Sequence, residues 1–142
     1  MIEIPINQNF NEISIGQKKT FSLTITSVMV EQFAKLSGDY NPLHMNEKYA
    51  SSTKFKKRIC HGMLLSSLFS RLVGMYLPGT NALYLTQNLK FISPCFIDDN
   101  ITVDGEVIEK NNTTRIITLK TQITNNLNKK LVDGQAKVLV RE

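Results

Sequence analysis

Gly62-Met63-Leu64-Leu65-Ser66-Ser67-Leu68-Phe69-Ser70-Arg71-Leu72-Val73-Gly74-Met75-Tyr76-Leu77 places apolar residues on nearly every face of a helix and stops at Pro78-Gly79. The run therefore predicts a buried helix over 62–77. At about 1.5 Å per residue such a helix spans roughly 24 Å. With Arg71 inside it, the run falls short of the ~20 apolar residues that a membrane crossing needs, so no membrane partner is expected. Apolar residues all round a helix need cover on more sides than one sheet supplies. A second copy of the chain is the natural source of that cover, and a homodimer is expected.

Upstream of the helix, residues 18–26 alternate Phe21, Leu23 and Ile25 with hydroxyl-bearing side chains, the period-2 pattern of a half-buried strand. Ser27 is placed to cap a short helix with Met29, Phe33 and Leu36 on one stripe, stopped by Gly38. Asp39-Tyr40-Asn41-Pro42-Leu43-His44 is read as a turn, because Pro42 disfavours helix at Asn41. Asn46 caps a further turn of helix through Ala50. Downstream, four strand-like stretches near 82–92, 101–110, 114–126 and 131–140 are separated by turn-rich segments. One strand, a helical region and then a meander give an α+β class, with an antiparallel sheet wrapped around the long helix.

At 142 residues, the chain is expected to form one domain over 1–142 with no internal linker or repeat. Its 42% hydrophobic and 20% charged residues exclude a disordered or fibrous chain. Cys60 and Cys95 stand far apart in sequence and in no CxxC spacing, so neither a disulfide framework nor a cysteine-rich zinc site is expected. Together with an N-terminus lacking a basic, apolar leader, this predicts a reduced, cytoplasmic setting. The net charge of +5 favours anionic partners, and its densest point is Lys54-Phe55-Lys56-Lys57-Arg58. That run reads either as a solvated loop or as a phosphate contact through Lys54, Lys56, Lys57 and Arg58. With only Phe55 interrupting it, nucleic-acid binding is not expected.

The chain has two histidines, and one of them, His44, follows Asp39 by five positions across a turn stiffened by Pro42. A carboxylate and an imidazole on one rigid turn can hold a single water between them and exchange protons with it, with Asn41 orienting either partner. The plainer reading is that Asp39 caps its own turn and His44 is a half-buried ring. Gly62 opens the long helix, so its N–H faces out of a positive helix end and suits a developing oxyanion, or the glycine merely lets the chain turn. There is no nucleophile elbow, phosphate loop or dinucleotide fingerprint. Two histidines 17 positions apart make a metal site improbable, so no metal and no cofactor are expected.

Phe33-Ala34-Lys35-Leu36-Ser37-Gly38-Asp39-Tyr40-Asn41-Pro42-Leu43-His44, followed by Ala50, resembles position for position the hydratase 2 motif of the MaoC-like (R)-specific enoyl-CoA hydratases. Ile59 to Ser70, Leu77-Pro78-Gly79 and Tyr84 to Phe91 with Pro94 are similar to the short single-domain bacterial members. The resemblance runs from about Ile13 to Val140. It implies a hot-dog fold, a dimer, and reversible syn addition of water to a trans-2-enoyl-CoA to give an (R)-3-hydroxyacyl-CoA, without a cofactor. By the same analogy Asp39 and His44 share the water, Gly62 N–H receives the enolate oxygen, and Ser70 supports the pair. Helix geometry then puts Val73 and Leu77 on the face of Ser70, where they form part of an acyl pocket. The expected substrates are short or medium acyl-CoA thioesters that link β-oxidation to polyhydroxyalkanoate precursors. The runner-up is a 3-hydroxyacyl-acyl-carrier-protein dehydratase, with the basic run meeting an acidic acyl carrier protein. A third reading, of a different class, is a non-catalytic acyl-thioester-binding subunit on the same fold, against which the intact Asp39–His44 pair argues.

Overall fold

The structure is a computed structural model and describes residues 2–142. The elements are β1 (Lys18–Thr24), α1 (Ser27–Ser37), α2 (Pro42–Met45), α3 (Glu47–Ser51), α4 (Gly62–Arg71), β2 (Ala82–Gln87), β3 (Lys90–Phe91), β4 (Asn100–Asn111), β5 (Ile116–Asn125) and β6 (Lys130–Val140). All strand pairs are antiparallel, in the order β1-β4-β5-β6-β2, and β3 also pairs with β6. Leu65, Phe69 and Leu72 pack onto Ile101, Val103, Ile123, Leu131 and Val132 of the sheet. This is the expected α+β hot-dog arrangement, a sheet laid against a long helix.

Several boundaries differ from the sequence reading. Thr26, and not Ser27, caps α1, with its hydroxyl accepting from Met29 N–H at 3.3 Å. The buried stripe of α1 is Val30 and Ala34, while Leu36 is exposed at the far end. Gly38 ends the helix at φ 81°, as its position suggests. The segment after Asp39 is less irregular than expected. Pro42 opens the one-turn helix α2 as its first residue, where a missing N–H is no loss. Near 82–92 the chain makes two strands, because Asn88 turns its side chain back to accept Gln135 N–H at 2.9 Å. Gly134 permits that approach, since a Cβ there would lie 2.0 Å from Asn88 O.

The run 62–77 divides as well. After Arg71 the helix widens into a π-helical segment, Leu72–Tyr76, in which Leu77 N–H reaches back five residues to Leu72 O at 2.9 Å. Gly105 in β4 lets this segment sit close to the sheet, because a Cβ there would lie 2.6 Å from Leu72 Cδ2. Nor is α4 buried all round: Met63, Ser67 and Ser70 face outward. Arg71 lies over the Phe21 ring at 4.5 Å and pairs with Glu3 at 3.5 Å, which accounts for a cation at the end of an apolar helix.

Val73 and Leu77 are enclosed in a second cluster with Phe10, Ile13, Val107, Leu119 and Val138. Val73→Ala should therefore lower stability by about 1–3 kcal/mol, the range for removing buried methyl groups without collapse of the space they leave. Thermal unfolding followed by circular dichroism checks this, and an unchanged midpoint would contradict the packing.

Candidate active site

The turn between α1 and α2 is built by short side-chain-to-backbone bonds. Asp39 Oδ1 accepts Asn41 N–H at 3.1 Å, and Asn41 Oδ1 caps α2 by accepting Leu43 N–H at 3.0 Å. Asn41 thus holds the turn with both side chain and backbone, since its carbonyl also accepts His44 N–H at 2.9 Å. The turn-capping reading of Asp39 is observed directly. One carboxylate oxygen closes the turn, and the other takes no hydrogen bond among the described residues.

His44 is half-buried, with Nδ1 2.8 Å from Ile59 O. A ring nitrogen facing a carbonyl carries the hydrogen, so Nδ1–H donates, and in the neutral ring it is Nε2 that holds the lone pair. The ring of His61 stacks on that of His44, centroids 4.0 Å apart and planes 30° from parallel. His61 Nε2–H donates to Asp39 O at 3.0 Å. Its pKa is lowered from the ordinary histidine value, chiefly by burial, with nearby His44 acting in the same direction.

Side-chain donor atoms of Asp39, His44 and His61 lie within 4.8 Å of one another. That spacing suits a shared water, and it is also compact enough for a small cation, which the sequence separation of the histidines had argued against. His61 is the residue that sequence reasoning passed over. The available signal was its place directly before Gly62, as the chain's only other histidine.

Gly62 is the first residue of α4, so its N–H has no partner within the helix, and the preceding His61 makes no side-chain cap. Gly62 and His44 both line a cavity of about 430 Å³. The rest of its wall is mainly apolar, with Phe55, Ile59, Met63, Leu65, Phe91, Ile92, Leu131 and Val132 among the lining residues. A Cβ on Gly62 would lie 2.7 Å from the Phe91 ring, so the glycine leaves room for that aromatic against the helix start. The volume and lining are those of a site for a small apolar ligand with a few polar anchors.

The remaining candidates fall elsewhere. Ser70 lies in a separate groove with Phe33, Met63, Ser66, Ser67, Tyr84, Gln87 and Leu89, and not beside His44 in the single chain. The side chains of Val73 and Leu77 reach neither space. Lys54, Lys56 and Lys57 are exposed on the loop that carries Phe55 into the cavity wall. Arg58 turns inward instead, donating from Nε to His44 O at 2.6 Å.

The sequence distance between the cysteines is misleading. Cys60 N–H donates to Cys95 O at 2.7 Å, and both buried, unbridged residues line the cavity. The neighbouring Cys60 thiol, then burial, push the Cys95 thiol far above its ordinary value.

Comparison with known proteins agrees with the fold. A family model described as MaoC like domain matches residues 10–128. The chain is 41% identical over 126 residues to an (R)-specific enoyl-CoA hydratase of Aeromonas caviae, covering 89% of this chain and 94% of that protein. It is 31% identical over 131 residues to a mitochondrial 3-hydroxyacyl-[acyl-carrier-protein] dehydratase of Arabidopsis thaliana, covering 90% and 78% respectively. Among solved structures, the unliganded R-hydratase from Pseudomonas aeruginosa superposes with a TM-score of 0.92 at 37% identity, over 96% of this chain and 87% of that one.

The raised pKa leaves almost no thiolate at Cys95 near neutral pH, and the thiolate is the nucleophile. Iodoacetamide at pH 8 should therefore leave Cys95 unmodified in the folded protein and alkylate it after unfolding. Mass spectrometry of both samples reads the difference, and rapid native labelling would contradict the assigned environment.

Proposed function

The chain belongs to the MaoC-like domain family, and from that premise we propose that it is an (R)-specific enoyl-CoA hydratase, adding water reversibly to trans-2-enoyl-CoA. The observation that carries the reading is convergence. His44 and the free N–H of Gly62 share the wall of one apolar cavity, and the Asp39 carboxylate lies within 4.8 Å of the His44 ring nitrogen that completes the cluster.

In this reading the enoyl thioester enters the cavity with its carbonyl oxygen at Gly62 N–H. A water sits between the Asp39 carboxylate and His44 Nε2, the ring nitrogen whose lone pair is free. His44 takes a proton as the water oxygen bonds to C3, and the π electrons move toward the thioester oxygen. The enolate so formed faces the Gly62 N–H and the positive end of α4, which stabilise the charge where it develops. C2 then takes a proton from the Asp39–His44 pair on the face where the water arrived, so the addition is syn and the site returns to its starting state. No redox change occurs, and the overall gain is one H and one OH. The exposed Lys54, Lys56 and Lys57 beside the cavity suit the phosphates of the CoA carrier.

An acyl-carrier-protein substrate is the second reading, favoured by the 31% identity to a dehydratase of that kind. The ratio of turnover on crotonyl-CoA to turnover on the carrier-protein thioester separates the two. Loss of enone absorbance on crotonyl-CoA is the direct test of hydration. Asp39→Asn and His44→Gln should each lower kcat by about 10²–10⁴-fold without unfolding the protein. Near wild-type turnover in either would remove that residue from the mechanism.

The reading includes a homodimer. One edge of β2 is unpaired among the described residues. Leu83 and Leu85 on that strand, and Met63 on α4, remain about half exposed. Light scattering at micromolar concentration should give about twice the chain mass of 16.1 kDa. An active species at the monomer mass would show that no second subunit is needed.

A further inference from the structure

His61 is only 2% exposed, yet it neither caps α4 with its side chain nor points a ring nitrogen toward solvent. Its ring meets the Asp39 carbonyl, the His44 ring and Phe33, whose ring centroid is 4.9 Å away. We propose that His61 is a positioning residue for hydration, holding the Asp39 peptide with Nε2–H and the His44 ring by stacking, and so setting both relative to the N–H of the adjacent Gly62. This rests on the hydratase reading and extends it to a residue that need not touch substrate.

The tautomer follows from the surroundings. Nε2 faces a carbonyl oxygen and must carry hydrogen, whereas Nδ1 is buried with no partner among the described residues. An unpartnered lone pair is a smaller loss than an unpartnered N–H, and protonating Nδ1 would bury both a charge and a donor. Burial and the nearby His44 favour the neutral ring, opposed in part by the Asp39 carbonyl and carboxylate. The imidazolium that forms at His44 during turnover then faces a neutral ring and not a second cation.

The arrangement also explains why this side chain sits at this position. His44 has a second tether in Ile59 O, at 2.8 Å, but Asp39 is otherwise held by bonds within its own turn, to Ser37 and Asn41. The His61 bond ties that turn to α4. Since misplacing reacting groups by about 1 Å can cost roughly 10²-fold in rate, a tether of this kind acts on kcat more than on binding.

Two substitutions divide the contributions. His61→Phe keeps a buried ring against His44 but has no donor, whereas His61→Gln places an amide N–H near the position of Nε2 without the ring. With crotonyl-CoA, His61→Phe should lose about 10–100-fold in kcat while KM stays within about threefold, and His61→Gln should recover at least about fivefold of that loss. A folded His61→Phe protein with kcat within about twofold of wild type overturns the proposal. So does an equal loss in both variants, because the Asp39 bond, which Gln keeps and Phe lacks, is assigned the larger share of the positioning. Nitrogen-15 spectra of the unsubstituted protein supply a test independent of how the variants fold. His61 should appear as the neutral Nε2–H tautomer between pH 6 and 8, and an Nδ1–H tautomer or an imidazolium there overturns the assignment. Asp39→Asn and His44→Gln separate the two levels: if they retain turnover, the hydration site fails and the positioning role with it. If they lose turnover and His61→Phe does not, only the positioning role fails.

Discussion

The packing of one face of α4 and its π-helical extension against the sheet is the constraint on which the rest of the molecule depends. Leu65, Phe69 and Leu72 bury fully against β4, β5 and β6, and Gly105 lets Leu72 sit where a side chain on β4 would otherwise stand. That contact fixes the axis of α4, and with it the direction of the unpartnered N–H groups at its start. His61 and Gly62 are therefore held by the core and not by a loop. The Asp39–His44 turn is attached to that fixed point by bonds to Ile59, Arg58 and His61. A rigid element carries the N–H proposed for the oxyanion, and a tethered turn carries the groups proposed to handle protons.

Much of this was legible in the residues. The period-2 pattern of Phe21 and Leu23, the stop at Gly38 and the cap at Asn46 are local effects, decided by side chains within a few positions of where they act. What escaped was decided by distant contacts. The division of 82–92 depends on Gln135 and Gly134 approaching Asn88 from another strand. The helix widens after Arg71 where Gly105 of a distant strand leaves room for Leu72. Leu36 looks like part of an apolar stripe by spacing, but the end of α1 projects past the surface it packs on.

The site divides in the same way. Asp39, His44 and Gly62 stood out because their spacing and neighbours are unusual in themselves, and the family resemblance assigned them roles. His61 stayed hidden because its meaning lies in a stack with His44 and a bond to Asp39, 22 positions away. Cys60 and Cys95 were set aside on their separation, although an antiparallel bridge between Ile59 and Phe96 brings the two residues together. Val73 and Leu77 show the reverse error. Helical spacing put them on the face of Ser70, but the change to a π-helical turn alters that spacing, and both side chains are enclosed with Phe10 and Ile13.

The wall of the cavity carries a consequence for selectivity. No lysine or arginine lines it, and the Cys60 and Cys95 thiols on its surface are poor hydrogen-bond donors. A hydrocarbon tail leaves water there at a gain, at roughly 0.8 kcal/mol per methylene buried. A tail that ends in a carboxylate would have to shed its hydration there with only Ser93, His44 and the Gly62 N–H to replace it. In the hydratase reading, such a wall favours a hydrocarbon tail over a charged one before any bond is made.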